Sequence, residues 1–131
     1  MKNIFGIAFF LLFTVTAAQA QYKTFPKGKL GGDIIGNGEV RFEVITNGSV
    51  ASFYPIDKDG NLITKKTPEQ MEINVLYLAE QTSHIYNPTR DEQGRYSVTL
   101  DSEKIVYYYF IKGDFGGKTV EMKEEMALHG K

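Results

Sequence analysis

The chain contains no cysteine, and this absence removes several classes of protein and site at once. Without thiols there is no disulfide, so a domain exported from the cytoplasm has to be held together by hydrophobic packing. Thiolate metal sites, thiol catalysis and redox exchange are excluded for the same reason. A bacterial lipoprotein is also excluded, because its lipid is attached to a cysteine directly after the leader.

A strong excess of charge of one sign is also lacking. The 131 residues include 15 Lys and Arg against 16 Asp and Glu. Removing the first twenty residues takes away Lys2 and no acid, which leaves 14 basic and 16 acidic side chains and a net charge of −2. We therefore expect no basic surface of the kind that binds nucleic acid.

Long apolar runs are absent except for one, at residues 4–15. Lys2 precedes this run and the small residues of Ala18-Gln19-Ala20 follow it, as in a secretory signal peptide cleaved after Ala20. A permanent membrane anchor is the weaker alternative, because a spanning helix needs about 20 apolar residues. The sequence thus predicts a periplasmic or secreted protein with no stable membrane insertion after cleavage.

Turn signals divide the rest of the chain into short segments rich in β-branched and aromatic residues. Asn-Gly and Asp-Gly tolerate the positive φ angles of tight hairpins, and they recur at Asn37-Gly38, Asn47-Gly48 and Asp59-Gly60. This spacing predicts an all-β antiparallel sandwich, immunoglobulin-like or fibronectin-like, of about seven or eight strands. The predicted strands are 39–46, 49–56, 61–66, 71–79, 83–88, 95–101, 104–112 and 117–126.

The predicted domain organisation follows from these segments. Residues 1–20 are the signal peptide, 21–32 a loose lead-in, 33–126 the β-sandwich and 127–131 a tail. In the first predicted strand Phe42 and Val44 alternate with charged residues, so Glu43 is expected to face water.

The segment 105–111 is apolar on both faces, which indicates a central strand. Strict alternation puts Val106, Tyr108 and Phe110 on one face and Ile105, Tyr107, Tyr109 and Ile111 on the other. We expect Tyr107 and Tyr109, with Tyr77, to form a tyrosine-rich outer face. Tyrosine combines a large contact area with a polar tip, so this face is the predicted recognition surface. Ordinary packing between the sheets is the alternative.

Three residues near the C-terminus suggest a metal site. Met122, Met126 and His129 offer thioether and imidazole ligands, a set that suits Cu(I). On a fully extended strand the two methionines share a face but lie about 13 Å apart, so one ion would need a bend. The alternative is that Met122 fills the core, while Met126 and His129 belong to a fraying tail.

No arrangement of residues typical of an enzyme is found, so we expect no catalytic residue. The segment 57–61 fails as a calcium loop because Gly60 is at the fourth position instead of the sixth, and Pro68 is at the twelfth. A hairpin turn explains it better. The acidic pairs Asp91-Glu92 and Glu124-Glu125 are expected to be solvated charges. Nucleophile elbows, phosphate loops and metalloprotease helices are missing.

One family resemblance rests on short sequence segments that are common in β-sandwich proteins. These are Gly31-Gly32, the segments 40–44 and 53–57, and the turn at 59–61. Together they resemble small periplasmic proteins associated with heavy-metal efflux in Gram-negative bacteria, over about residues 30–126. The resemblance implies an immunoglobulin-like sandwich with a non-enzymatic accessory role. That family usually has histidine before the two glycines, where this chain has Leu30.

Two functional hypotheses follow. In the first, the protein is a secreted accessory module in metal homeostasis, which captures Cu(I) and contacts an efflux component. In the second, it is a structural or interaction domain that recognises an envelope protein or a polysaccharide through the tyrosine-rich face.

Overall fold

The strands of this domain are short and separated by polar turns, as the sequence predicts. The computed structural model describes residues 22–127, so the predicted signal peptide and residues 128–131 of the predicted tail lie outside the described part. No helix is present in the described part, and the all-β class is confirmed. The eight strands are β1 (Asp33–Ile35), β2 (Arg41–Asn47), β3 (Val50–Ile56), β4 (Glu72–Tyr77), β5 (His84–Tyr86), β6 (Tyr96–Thr99), β7 (Val106–Phe115) and β8 (Lys118–Glu125).

The first sheet is antiparallel with the strand order β1-β2-β3-β6. Strands β2 and β3 form a hairpin in which Asn47 pairs with Val50 around a two-residue loop. The loop is Gly48-Ser49, one residue later than the predicted Asn47-Gly48 loop, because Asn47 is the last residue of β2. Gly48 has a φ of 62°, the positive value that such a turn needs at its first central position. The three-residue edge strand β1 pairs with β2 and was not indicated by the sequence pattern.

The second sheet is antiparallel with the order β5-β4-β7-β8. Its longest pair, β7 and β8, is closed by Gly116-Gly117, with Phe115 paired to Lys118. The two glycines have φ angles of 68° and 88°. A type I′ hairpin needs positive φ at both central positions, which glycine adopts without steric cost. The double glycine thus fixes the register of β7 against β8.

The core lies between the two sheets, which pack face to face as a sandwich. Phe53 of the first sheet meets Tyr109 of the second, edge to face, with 5.0 Å between ring centroids. This contact is typical of the aromatic packing that stabilises sandwich cores. The other buried hydrophobic residues of the core include Ile35, Phe42, Val44, Ala51, Met71, Ile73, Val75, Tyr77, Tyr96, Val98, Val106 and Ile111.

A β-bulge interrupts the pairing of β4 with β7. Leu76 pairs with Tyr108, whereas Tyr77 pairs with Val106, so Tyr107 is an extra residue in β7. A bulge of this kind shifts the alternation of side chains by one residue.

The bulge changes which residues of β7 face the core. Val106, Tyr109 and Ile111 are all buried, and Tyr108 and Phe110 are on the opposite, outer face. The predicted grouping of Val106 with the two outer residues is therefore wrong, because strict alternation was assumed across the extra residue.

The predicted strand 61–66 is also wrong. This segment forms only one isolated bridge, between Leu62 and Ile56. The Asp57 side chain accepts hydrogen bonds from the N–H groups of Asp59 and Asn61, both at 2.9 Å. Such a turn, in which an Asp side chain takes backbone N–H groups, competes with regular pairing of the strand. The predicted hairpin turn at this place is confirmed.

The segment before β1 covers the outer face of the first sheet at Glu43. Glu43 is only 1% exposed, because its Oε2 atom accepts hydrogen bonds from the N–H groups of Leu30, at 2.9 Å, and Gly32, at 2.8 Å. The prediction that Glu43 faces water is wrong for this reason. Gly28 provides the space for this carboxylate because it has no side chain: a Cβ atom there would lie 2.1 Å from Glu43 Oε1.

The same segment is attached to the domain at further points. The N–H of Lys23 donates to the carbonyl of Met126 at 3.0 Å, and the N–H of Ile34 donates to the carbonyl of Pro26 at 2.8 Å. Phe25 packs against the core. The segment therefore holds a defined position, which begins beside the end of β8 and ends over Glu43 of the first sheet.

Candidate recognition surface

The structure places two of the three predicted recognition tyrosines in the core. Tyr77 is 2% exposed and Tyr109 is 3% exposed, so neither ring is available to a partner. The phenol oxygen of Tyr77 accepts a hydrogen bond from the N–H of Asp101 at 2.9 Å. Burial raises the pKa of the Tyr109 phenol well above its usual value. Tyr107 is half-buried, with its ring centroid 5.5 Å from that of Tyr108.

The outer face of the second sheet instead presents a different set of apolar side chains. Leu76 pairs with Tyr108, while Asn74 pairs with both Phe110 and Ile85. Directly paired residues of antiparallel strands place their side chains on the same face. We call the apolar members of this set the apolar patch: Leu76, Ile85, Tyr108 and Phe110.

Exposure within the apolar patch is unusually high for such side chains. Ile85 is 62% exposed, the highest value for a large hydrophobic side chain within residues 22–127. Leu76, Tyr108 and Phe110 are half-buried. A lone exposed hydrophobic residue needs no explanation, but several that adjoin on one sheet face are typical of a contact surface.

A polar group lies at the centre of the apolar patch. Asn74 stands between Ile85 and Phe110 on neighbouring strands. Its Oδ1 atom is buried and has no hydrogen-bond partner within residues 22–127. An unpaired buried acceptor costs about 1–3 kcal/mol, so a donor supplied by a partner after a side-chain rotation would be favourable here.

Charged residues border the apolar patch along β8. The ammonium of Lys123 lies 4.4 Å from the centroid of the Tyr108 ring, a cation–π contact. Glu125 is paired with Tyr108 across the strands. Beyond Phe110, Lys112 Nζ lies 3.8 Å from Glu121 Oε1. An apolar centre with a charged rim is the usual anatomy of a protein interface.

A second charged cluster lies at the start of β5. Glu80 Oε1 is 3.0 Å from His84 Nε2, and Glu80 Oε2 is 2.6 Å from Lys104 Nζ. Hydrogen bonds from Lys104 and then from His84 lower the pKa of the Glu80 carboxyl. The hydrogen bond to Glu80 in turn raises the pKa of Lys104. This cluster is exposed, so solvent and salt weaken it.

Two of the three predicted copper ligands, Met122 and Met126, lie within the described residues. Met126 is only 9% exposed and belongs to the core. Met122 is half-buried on the same face of β8, and Glu124 lies between the two methionines. The Glu124 carboxylate accepts a hydrogen bond from the N–H of Gly36 at 3.0 Å. His129 lies outside the described residues, so copper capture stays a prediction.

Other kinds of site are not found in the part of the chain that the structure describes. There, no three His, Asp or Glu side chains are grouped in a way that would hold a metal ion. A search of the same residues for a helix long and apolar enough to cross a bilayer also finds none. Comparisons with protein-family models, with curated proteins and with solved structures give no match to this chain.

Proposed function

We propose that this chain is an exported, non-enzymatic interaction domain that recognises an envelope protein through the apolar patch. The exposure of Ile85 beside three half-buried apolar side chains carries the proposal. Export follows from the predicted signal peptide, and the partner then belongs to the periplasm or the cell surface. An efflux component is one such partner.

The chemistry of the apolar patch favours a protein over a polysaccharide. Sugars stack on open aromatic faces, but the Tyr108 ring is already in contact with the ammonium of Lys123. The most exposed member is the aliphatic Ile85, which offers burial and no hydrogen bond to a hydroxyl-rich ligand. Burying such an anchor against a complementary pocket is how protein interfaces gain most of their affinity.

We further propose an immunoglobulin-like or fibronectin-like type for the sandwich. In immunoglobulin domains strands A, B and E are neighbours in one sheet, and strands C, F and G in the other. Here β2-β3-β6 and β4-β7-β8 have the same sequential relation, with β5 beside β4 in the position of strand C′. The short strand β1 is then an addition to the edge of the first sheet.

The test compares two substitutions on opposite outer faces. Ile85→Arg places a charge in the apolar patch, while Thr99→Arg places the same charge on the exposed outer face of the first sheet. Purified protein of each kind is immobilised and incubated with an envelope extract of the source cells. We expect one envelope protein to bind the parent and Thr99→Arg, and its capture by Ile85→Arg to fall at least about tenfold.

Circular dichroism and urea unfolding serve as controls for the fold. An exposed substitution should shift stability by no more than about 0.5 kcal/mol. Equal capture by all three proteins would contradict the proposal. Capture that survives protease treatment of the extract would instead identify a polysaccharide as the partner.

A further inference from the structure

Strand β8 is an unusually long free edge. The four edge strands of the two sheets are β1 with three residues, β6 with four, β5 with three and β8 with eight. Natural sheets usually keep their edges short, because an open edge accepts another strand. Tyr22 pairs with Ala127 just beyond the C-terminal end of β8, and the ammonium of Lys23 lies 3.7 Å from Glu125 Oε2. Within the described residues no other strand pairs with the backbone of this edge from Lys118 to Glu125.

The hairpin determines which backbone groups lie on this edge. Phe115 and Lys118 close a two-residue loop and therefore form a hydrogen-bonded pair. Hydrogen-bonded and non-bonded pairs alternate along an antiparallel ladder, so the even-numbered residues of β8 bond to β7. The N–H of Met126 donating to the Tyr107 carbonyl at 2.7 Å agrees with this assignment. Residues 119, 121, 123 and 125 thus point their N–H and C=O groups to the open edge.

The side chains at these four positions carry a self-complementary charge pattern. In order they are Thr119, Glu121, Lys123 and Glu125. An antiparallel pairing of β8 with a second β8 around Met122 places Glu121 opposite Lys123 of the second copy. The two-fold symmetry repeats this pair on the other side of the axis. Opposite charges directly across two strands are stabilising.

Neighbouring registers are disfavoured by the same charges. A pairing centred on Glu121 sets that carboxylate against itself, and one centred on Lys123 sets that ammonium against itself and Glu121 against Glu125. A shift of the pairing by one residue brings the open backbone groups of one strand opposite groups already bonded to β7. The register centred on Met122 is the one that pairs all four outward residues of each strand with outward residues of the other. It also sets Glu121 opposite Lys123 on both sides of the axis.

We propose that β8 pairs with β8 of a second copy of this chain, centred on Met122, to form a homodimer with one continuous eight-stranded sheet. The occupant is a second copy because β8 supplies both members of each charge pair. The present partners of the two charges do not prevent this, since the contacts of Glu121 with Lys112 and of Lys123 with the Tyr108 ring are on the exposed outer face.

A charge-swap series tests this pairing by sedimentation velocity of the purified protein over a range of concentrations. Glu121→Lys and Lys123→Glu each set like charges opposite one another, so each should raise the dimer dissociation constant at least about tenfold. The double variant Glu121→Lys with Lys123→Glu restores opposite charges and should return the dissociation constant to within about threefold of the parent. Lys58→Glu, an exposed turn residue, is the control for net charge.

The outcomes separate this proposal from the proposed function. A parent that stays monomeric up to about 1 mM overturns the dimer, as does a dimer that neither single variant weakens. Failure of the double variant to recover would also overturn it. Ile85→Arg should leave the dimer intact, because Ile85 is on β5 at the far edge of the same sheet.

Discussion

The outer faces of the two sheets differ in what the chain itself covers. On the first sheet the chain's own N-terminal segment covers a carboxylate, Glu43, and hydrogen-bonds to it. On the second sheet the chain leaves Ile85 and its apolar neighbours at the surface. Buried charge and exposed apolar area are the two departures from ordinary burial that carry information. The buried carboxylate of Glu43 holds the N-terminal segment in place, and the exposed apolar patch is available to a partner.

Removing the buried carboxylate should have the largest effect on stability. Glu43→Ala takes the acceptor from two backbone N–H groups, and each hydrogen bond to a charged group contributes about 1.5–3 kcal/mol. Part of this gain is offset because Glu43 Oε1 is buried without a hydrogen-bond partner within residues 22–127. We expect the free energy of unfolding, measured with urea, to fall by about 3 kcal/mol. Glu39→Ala, an exposed glutamate before β2, should change it by less than about 0.5 kcal/mol. If Glu43→Ala and Glu39→Ala lowered the free energy of unfolding equally, the covered carboxylate would have no special role in the first sheet.

A smaller loss of stability is expected from a substitution in residues 28–32, the segment that covers the Glu43 carboxylate. Gly28→Ala puts a Cβ atom 2.3 Å from the carboxyl carbon of Glu43, which forces the segment outward. The expected cost is about 2 kcal/mol, typical of overpacking. Gly38→Ala is the control, since its nearest atom would be 3.9 Å away.

The substitutions at Gly28 and at Glu43 should also interact. In the double variant Gly28→Ala with Glu43→Ala the clash is absent, so the two losses of stability should not add. Full additivity would show that Gly28 does not act through Glu43.

The smallest effect concerns the exposed ion pairs at the border of the second sheet. Glu80 has a pKa below its ordinary value of 4.5 because Lys104 and His84 hydrogen-bond to it. A depressed carboxyl pKa contributes stability above the unfolded pKa, and this is lost as pH falls through the folded pKa. Glu80→Gln should thus unfold slightly more easily than the parent at pH 7. The difference should decrease as the pH falls below 4.5, vanish below the lowered pKa of Glu80, and shrink in high salt, as followed by thermal unfolding. A difference that persists in acid would assign another role to Glu80.

Much of the fold could be predicted because it depends on local signals. The Asn47-Gly48 signal located the β2–β3 hairpin to within one residue, and the break between the predicted strands 104–112 and 117–126 lies close to the observed β7–β8 turn. Alternation also placed Phe42 and Val44 correctly in the core. These features need only a few neighbouring residues, so the sequence displays them directly.

The candidate site could not be predicted, because it depends on contacts between distant segments. The outer position of Tyr108 and Phe110 follows from the bulge at Tyr107, which exists only relative to the pairing with β4. Ile85 joins them through a three-residue strand that is too short to show a pattern. The burial of Glu43 likewise depends on a segment some eleven to thirteen residues away.

The extra residue in β7 separates the packing of the interior from the side chains at the surface. A regular strand must give alternate side chains to each side, so inserting one residue would exchange the two sets. At Tyr107 the insertion is absorbed locally, and Val106 and Tyr109 on either side of it both remain inside. The ring of Tyr107 adjoins Tyr108, so the extra residue adds a tyrosine beside the apolar patch without displacing a buried side chain of the core.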